Sequence, residues 1–313
     1  MPAADDTPGT DEAPAVGEAS APEAAARTLL MGTISLDQYV SGGDVLPGGD
    51  VLPGGGVLNM AWHWRRLGRP FRLLTRIGAE DGAAVERFLE RHGIETVSPE
   101  ALVARGRSST IDIEIQPDRQ PWMDNFVPGV WDDYRVTTRE RDVLTHATRL
   151  HVVLVEGAIA ELARLAAHGA TRNAAVSADF LGFRHYDVER LAETMRHVDL
   201  GFIGWPHDEG EAAVAGMREV AFDLRRVLVV TLGSRAVRVF DGRSTRSDRR
   251  FPVQAVDVAG TTLGCGDAFI AWYLDELWRS GDHAAAVARG MMGGAAATAW
   301  PRPLPDAAYP DLD

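Results

Sequence analysis

From Thr28 onward, apolar residues come in short aliphatic runs that alternate with longer stretches of helical spacing. TLLMG, HVVLVEG, AAVSADF, LGFIG and RRVLVVTLG read as strands, and Ala- and Glu-rich segments from about Ala158, Asp187 and Asp208 read as helices between them. The strand runs are apolar throughout, which predicts a mainly parallel sheet covered by helices on both faces. Two stretches break this rhythm. Ser108–Asp118 alternates Ile111, Ile113 and Ile115 with polar residues, the pattern of a strand with one wet face. PGGGVLNMAWHWRRLG places glycines ahead of a helix that carries Val57, Ala61, Trp64 and Leu67 on one face and closes at Gly68.

Val253–Leu277, VQAVDVAGTTLGCGDAFIAWYLDEL, changes period in its middle. Val253, Val256 and Val258 suit the end of a strand, whereas Ala268, Ala271, Leu274 and Leu277 share a helix face. Gly264-Cys265-Gly266 between them leaves the first helical amides uncovered at the positive end of the helix dipole, where phosphate oxygens bind well. Asp267 stands at the mouth of that site. A carboxylate repels a phosphate, so it suits a base that deprotonates a hydroxyl while the amides hold the phosphoryl group moving to it. An Asp in a first helical turn is also an ordinary dipole partner, and local spacing leaves both readings open.

Asp37 follows the first predicted strand and Asp179 ends another, positions where ligands gather in open α/β sheets. A surface-loop Asp is the alternative at Asp37. GDVLPG occurs twice in tandem, at Gly43–Gly48 and Gly49–Gly54, and reads as a duplicated turn that lengthens the segment before the next helix. Trp122, Trp131 and Tyr134 lie in a polar stretch and either stack on a ligand or pack.

Composition narrows the chemistry. The chain has 313 residues, 45% of them hydrophobic, enough for a sizeable core. A net charge of −13 disfavours nucleic acid or an anionic membrane as a partner. All 32 basic residues are Arg, which excludes a P-loop lysine, a lysine Schiff base and a pyridoxal-phosphate anchor. Cys265 is the sole cysteine, so neither an intrachain disulfide nor a multi-cysteine metal site can form. Its thiol at a helix N-terminus is either activated or simply fills a small slot. No apolar run approaches the roughly 18 residues of a membrane span, and a cytoplasmic protein is expected. Residues 1–26 hold Asp5, Asp6, Asp11, Glu12, Glu18 and Glu23 and no base, so a disordered acidic tail is predicted over 1–27.

TTLGCGDAF resembles the signature Asp-Thr-x-Gly-Ala-Gly-Asp-x-Phe of the ribokinase-like (phosphofructokinase-B type) sugar kinases, and its Leu-Gly-Cys-Gly-Asp form is closest to the fructoselysine 6-kinase branch. PGGGVLN resembles the family's Gly-Gly-x-x-x-Asn substrate motif, Gly32–Asp37 its first-strand motif, and Gly78–Gly82 its Ile-Gly-x-Asp-x-x-Gly segment. VSADF is similar to the fructoselysine branch at that point. The resemblance spans Leu29 to Trp300. It implies one ribokinase-like α/β domain over 28–303, with a mainly parallel central sheet flanked by helices and a small β lid formed near 37–53 and 108–130. A C-terminal tail would occupy 304–313.

The implied activity is ATP-dependent phosphorylation of a hydroxyl on a sugar or sugar-amine. A nucleoside or other small-alcohol kinase of the same fold, and a catalytically silent binding or regulatory homologue, are the rivals. By resemblance Asp267 is the base and Gly264, Cys265 and Gly266 form the anion hole. Asp37, Gly54, Gly55 and Asn59 would hold the sugar, and Thr231 and Gly233, with Gly264 and Gly266, the nucleotide. The family's lid often pairs with that of a second subunit, which implies a homodimer. Two departures stand out. Thr261 occupies the place of an Asp that helps hold a monovalent cation, which puts that cation in question. Where the family orders Mg²⁺ with Asn-x-x-Glu, this chain has Trp205 and Asp208, with Glu209 and Glu211 as nearby substitutes.

Overall fold

The apolar runs become the interior of an eight-stranded sheet. A computed structural model of the chain describes residues 27–41, 44–45, 51–183, 186–207, 209–243 and 246–309. Its strands are β1 Thr28–Met31, β2 Ser35–Ser41, β3 Asp44–Val45, β4 Val51–Gly54, β5 Arg72–Leu74, β6 Ile77–Gly78, β7 Val103–Ala104, β8 Ser109–Ile115, β9 Pro121–Val127, β10 Arg149–Val153, β11 Ala175–Asp179, β12 Leu200–Gly204, β13 Val227–Thr231, β14 Ala236–Asp241 and β15 Ser247–Pro252. The helices are α1 Gly56–Arg66, α2 Ala83–Arg91, α3 Pro99–Leu102, α4 Thr138–His146, α5 Glu156–Ala167, α6 Val188–Met195, α7 Ala212–Asp223, α8 Cys265–Ser280 and α9 His283–Ala297.

The sheet order is β15-β14-β13-β12-β11-β10-β1-β5. From β5 to β13 every neighbouring pair is parallel, and β14 and β15 finish one edge antiparallel. Its two faces bury separate cores. One gathers Trp64 of α1, Phe88 of α2 and Tyr273 of α8; the other gathers Leu162 of α5, Met195 of α6 and Met217 of α7. The mainly parallel sheet with helices on both faces is what the continuous apolar runs predict.

The lid is a second sheet, β3-β2-β8-β9, in which β4 also pairs with β2, opposite β8. The alternation in β8 is realised as predicted: Ile113 is buried, and Ile111 and Ile115 pack beside it. Asp37 lies inside β2 rather than in a loop, because the chain re-enters a strand at Ser35 and pairs with β8. Of the GDVLPG duplication, only Asp44–Val45 and Val51–Gly54 fall within the described residues.

Two expectations are corrected, and a third is resolved toward packing. Val253, Val256 and Val258 do not extend a strand: β15 ends at Pro252, paired with Ala236 at the start of β14, and among the described residues no strand partner lies beyond it. The 304–313 tail is part of the domain as far as Tyr309. Leu304 and Tyr309 are fully buried, and Tyr309 lies 6.0 Å from the Phe88 ring. Trp131 and Tyr134 are packing residues, stacked on each other at 3.9 Å with the Arg76 guanidinium over Tyr134. Among the described residues no helix is long and apolar enough to cross a membrane.

Candidate active site

The carboxyl ends of β1, β10, β11, β12 and β13 open into one cavity of ≈ 420 Å³, roofed by Ile111, Ile113, Pro121, Met123 and Phe126 of the lid. Thr33, Val155, Asp179, Gly204 and Thr231 reach it from the strand ends, as the strand-end rule expects. From the lid side comes Asp37, and from the head of α8 come Gly264, Gly266 and Asp267.

Sequence distance collapses at Asp267. Asn59, in the first turns of α1, donates from Nδ2 to Asp267 Oδ2 at 2.7 Å. That bond fixes the amide orientation, and it leaves Asn59 Oδ1 buried on the cavity wall without a partner. The glycines before α1 make room for both carboxylates. A Cβ on Gly54 would fall inside the Asp37 carboxylate, and one on Gly56 would stand 2.9 Å from Asp267 Oδ1. Gly55 adopts φ +89°, a conformation that L side chains rarely take. Asp37 is held by the Ser35 hydroxyl, which donates to Oδ1 at 2.6 Å, and by the Gly55 amide.

At the head of α8, Gly264 is left-handed with φ +80°, and a Cβ there would meet Pro303. Among the described residues, the amides of Gly266 and Asp267 have no protein acceptor, and no atom lies within 4 Å of where a Gly266 Cβ would be. Bare N–H groups at a helix N-terminus attract anions. The Cys265 amide is not one of them, since it donates to Thr262 O at 3.2 Å; this corrects the place given to Cys265 in the anion hole. The Cys265 thiol is pushed up to about 12 by burial and by the charge of Asp267, which overturns the activated-thiol reading.

Electrostatics couple three acids. Burial raises Asp267 to about 6 against the opposing Asn59 hydrogen bond. Asp37 rises to about 7, chiefly by burial and further by the Asp267 charge, with Ser35 opposing. Asp179 rises to about 7 by burial and then by Asp267; its one partner among the described residues is the Leu181 amide, at 2.8 Å. Among the described residues no basic side chain lines the cavity.

The remaining sequence candidates divide. Thr231 lines the cavity, while Gly233 lies in the turn after β13, off its wall. Gly54 and Cys265 are not among the residues that line it. Glu209 is corrected: it is tied to Arg250 at 3.0 Å and Arg238 at 3.9 Å, away from the cavity. Asp208 lies outside the described residues. The Thr261 hydroxyl donates to Arg119 O at 3.0 Å and accepts from the Leu263 amide at 3.2 Å. Sequence reasoning gives Asp179 little weight, though its position at the end of an apolar strand is the available signal. It misses the apolar roof beyond Ile111 and Ile113.

Comparison with known proteins agrees with this geometry. The model of the pfkB family carbohydrate kinases matches residues 47–299. The fold is similar to that of an adenosine kinase from Schistosoma mansoni in complex with 2-fluoroadenosine (TM-score 0.76, 15% identity, 90% of this chain and 97% of that one). It is also similar to a ribokinase from Cryptococcus neoformans var. grubii in complex with ADP (TM-score 0.69, 20% identity, 91% and 97%). A microbiome-derived acarbose kinase matches with TM-score 0.68 and 19% identity over 87% of this chain and 92% of that one. No curated protein matches the sequence significantly.

Proposed function

Because this chain belongs to the pfkB family of carbohydrate kinases, phosphotransferases that act on an alcohol group, we propose that it moves the γ-phosphoryl group of ATP to a hydroxyl of a sugar or sugar-amine. The observation that carries this reading is the meeting of Asp267, gripped by Asn59, with the two unpartnered amides at the head of α8. Asp267 accepts the proton of the substrate hydroxyl. Its raised pKa, close to working pH, makes it a stronger base than an exposed carboxylate while leaving it ionised above about 6. The Gly266 and Asp267 amides stabilise charge on the phosphoryl oxygens. Asp37 and Asn59 Oδ1 are acceptors on the cavity wall and suit the hydroxyls of a polyol. Thr231 and Gly204 border the nucleotide end.

The residues fit a nucleotide-borne Mg²⁺, which would neutralise phosphate charge. Such an ion needs only one or two carboxylates besides water and phosphate, and the Asp179 carboxylate, with the Leu181 amide as its one partner among the described residues, would supply one. Neither Glu209, held by two arginines, nor a ready cluster of three ligands among the described residues serves instead. A fructoselysine-like acceptor rests only on the Leu-Gly-Cys-Gly-Asp form and the VSADF segment. The apolar roof of Ile111, Ile113, Met123 and Phe126 favours a second reading, a nucleoside with its base under the lid. Exposed Trp122 and Val127 on the lid support the homodimer, which sedimentation would test.

An ADP-release screen over sugars, Amadori compounds and nucleosides decides between acceptors. Turnover of at least one polyol is expected. ATP binding without transfer to any alcohol would reject the kinase reading in favour of a silent homologue.

A further inference from the structure

The turn that closes the lid hairpin is fastened to the loop that leads into α8. The hairpin turn is itself closed by Gln116 N donating to Gln120 O at 2.9 Å and Arg119 N to Gln116 O at 2.8 Å. Arg119 takes φ +68°, an uncommon conformation for a residue with a side chain, and its carbonyl is turned onto the loop. That carbonyl accepts from both the Thr261 hydroxyl at 3.0 Å and the Thr262 amide at 3.1 Å. The Thr262 hydroxyl donates to Gln120 Oε1 at 2.8 Å.

The same two threonines shape the anion site. Thr261 Oγ1 accepts from the Leu263 amide, and Thr262 O accepts the Cys265 amide, so they set the turn that aims the Gly266 and Asp267 amides at the cavity. Thr261 N donates to Trp300 O at 2.9 Å and Gly260 N to Thr298 O at 2.8 Å, which ties the other end of the loop to the segment after α9. Thr261 is fully buried, so its hydroxyl has no water to fall back on.

We propose that Thr261 is a positioning residue: its hydroxyl, bonded at once to the lid carbonyl and the anion-site loop, makes lid closure and alignment of the Gly266 and Asp267 amides a single event. Hydrogen bonds of this kind are individually weak and can break and re-form while the central sheet stays folded. With the lid down, the apolar roof excludes water at the moment the amides are set; with it up, the loop loses its brace. The inference rests on the kinase reading for its catalytic arm. Its exchange arm does not.

The test compares Thr261→Val, which keeps the shape and removes the hydroxyl, with Thr261→Ser, which keeps the hydroxyl. Hydrogen exchange is followed in peptides covering 109–127, 261–268 and the central strands, beside kcat and KM. Thr261→Val is expected to speed exchange in the first two peptides together, leave β10 to β13 protected, and lower kcat about tenfold or more with ATP KM within about threefold. Thr261→Ser is expected to restore both. Gln120→Ala, which cuts the Thr262 bond from the lid side, is expected to loosen both segments in the same direction; it decides the matter should Thr261→Val fail to fold. Loosening of only one segment, wild-type kcat in Thr261→Val, or no rescue by Ser would overturn the proposal. Absence of transfer to any alcohol in the wild type would sink the kinase reading while coupled exchange still stood.

Discussion

Asp267 is where the chemistry can be tested one atom at a time. Asp267→Asn keeps the shape and exchanges a carboxylate oxygen for an amide, so fold and nucleotide affinity should persist while kcat falls about 10²–10⁴-fold, the usual share of a positioned base. An unchanged rate would remove Asp267 from the mechanism. Its pKa of about 6 sets the pH profile. The base works ionised, so kcat/KM should be level above that pH and fall about tenfold per pH unit below it; a profile flat down to pH 5 would contradict the assignment. The residues of this group were legible because two motifs far apart, Gly54–Asn59 and Gly264–Asp267, each had a ligand-binding grammar of their own. Their direct hydrogen bond was not, since sequence spacing carries no information on which helix starts face each other. Asp179 was legible only as a strand end, because its significance lies in burial and in the field of Asp267, which arise on folding.

Among elements, the glycine run between β4 and α1 carries the most constraint. A methyl group on Gly54 would occupy the space of the Asp37 carboxylate, so Gly54→Ala must displace Asp37 from Ser35 and Gly55. Steady-state kinetics should show sugar KM raised about tenfold or more with ATP KM little changed; equal effects on both would place the damage in the fold instead. The loop before α8 makes a different prediction. Its Thr261 hydroxyl is already engaged by Arg119 and Leu263, and position 261 offers no carboxylate to hold a monovalent cation. Replacing K⁺ by a bulky organic cation at fixed ionic strength should alter the rate less than about twofold, and a strict K⁺ requirement would show that other ligands compensate. Helices and parallel strands were readable from period alone. The end of β15 was not, because Val253, Val256 and Val258 have strand character but, among the described residues, no neighbouring strand to pair with. The packed stretch Leu304–Tyr309 was hidden for the opposite reason, having almost no periodicity and being ordered by contact with α2 and the residue that follows it.

At the scale of the whole molecule, the buried titratable groups pull stability in opposite directions. His63, His151 and His283 are held neutral by burial, with pKa values near 4, 3 and 4. Between those values and the ordinary 6.5 the unfolded chain binds more protons, so this contribution weakens as pH falls. Asp37, Asp179 and Asp267 behave in reverse. Their folded pKa values, near 7, 7 and 6, exceed the ordinary 3.8, so the folded chain binds more protons and is favoured as pH falls through that window. The two sets oppose each other between about pH 4.5 and 6.5. Above pH 7 the acids are ionised at their full cost, the ordinary trade of stability for a charged site. Asp179→Asn should therefore raise stability at pH 8 by on the order of 1–4 kcal/mol, since each tenfold loss of acidity on folding corresponds to ~1.4 kcal/mol. The gain should shrink toward pH 4, where Asp179 is protonated in the folded chain and partly so in the unfolded one, and the variant should lose Tm on acidification more steeply than wild type because the histidine slope is less opposed. Thermal unfolding of both proteins from pH 4.5 to 8 measures this directly; a variant no more stable at pH 8, or a gain independent of pH, would mean that Asp179 is not the strained carboxylate its burial beside Asp267 makes it.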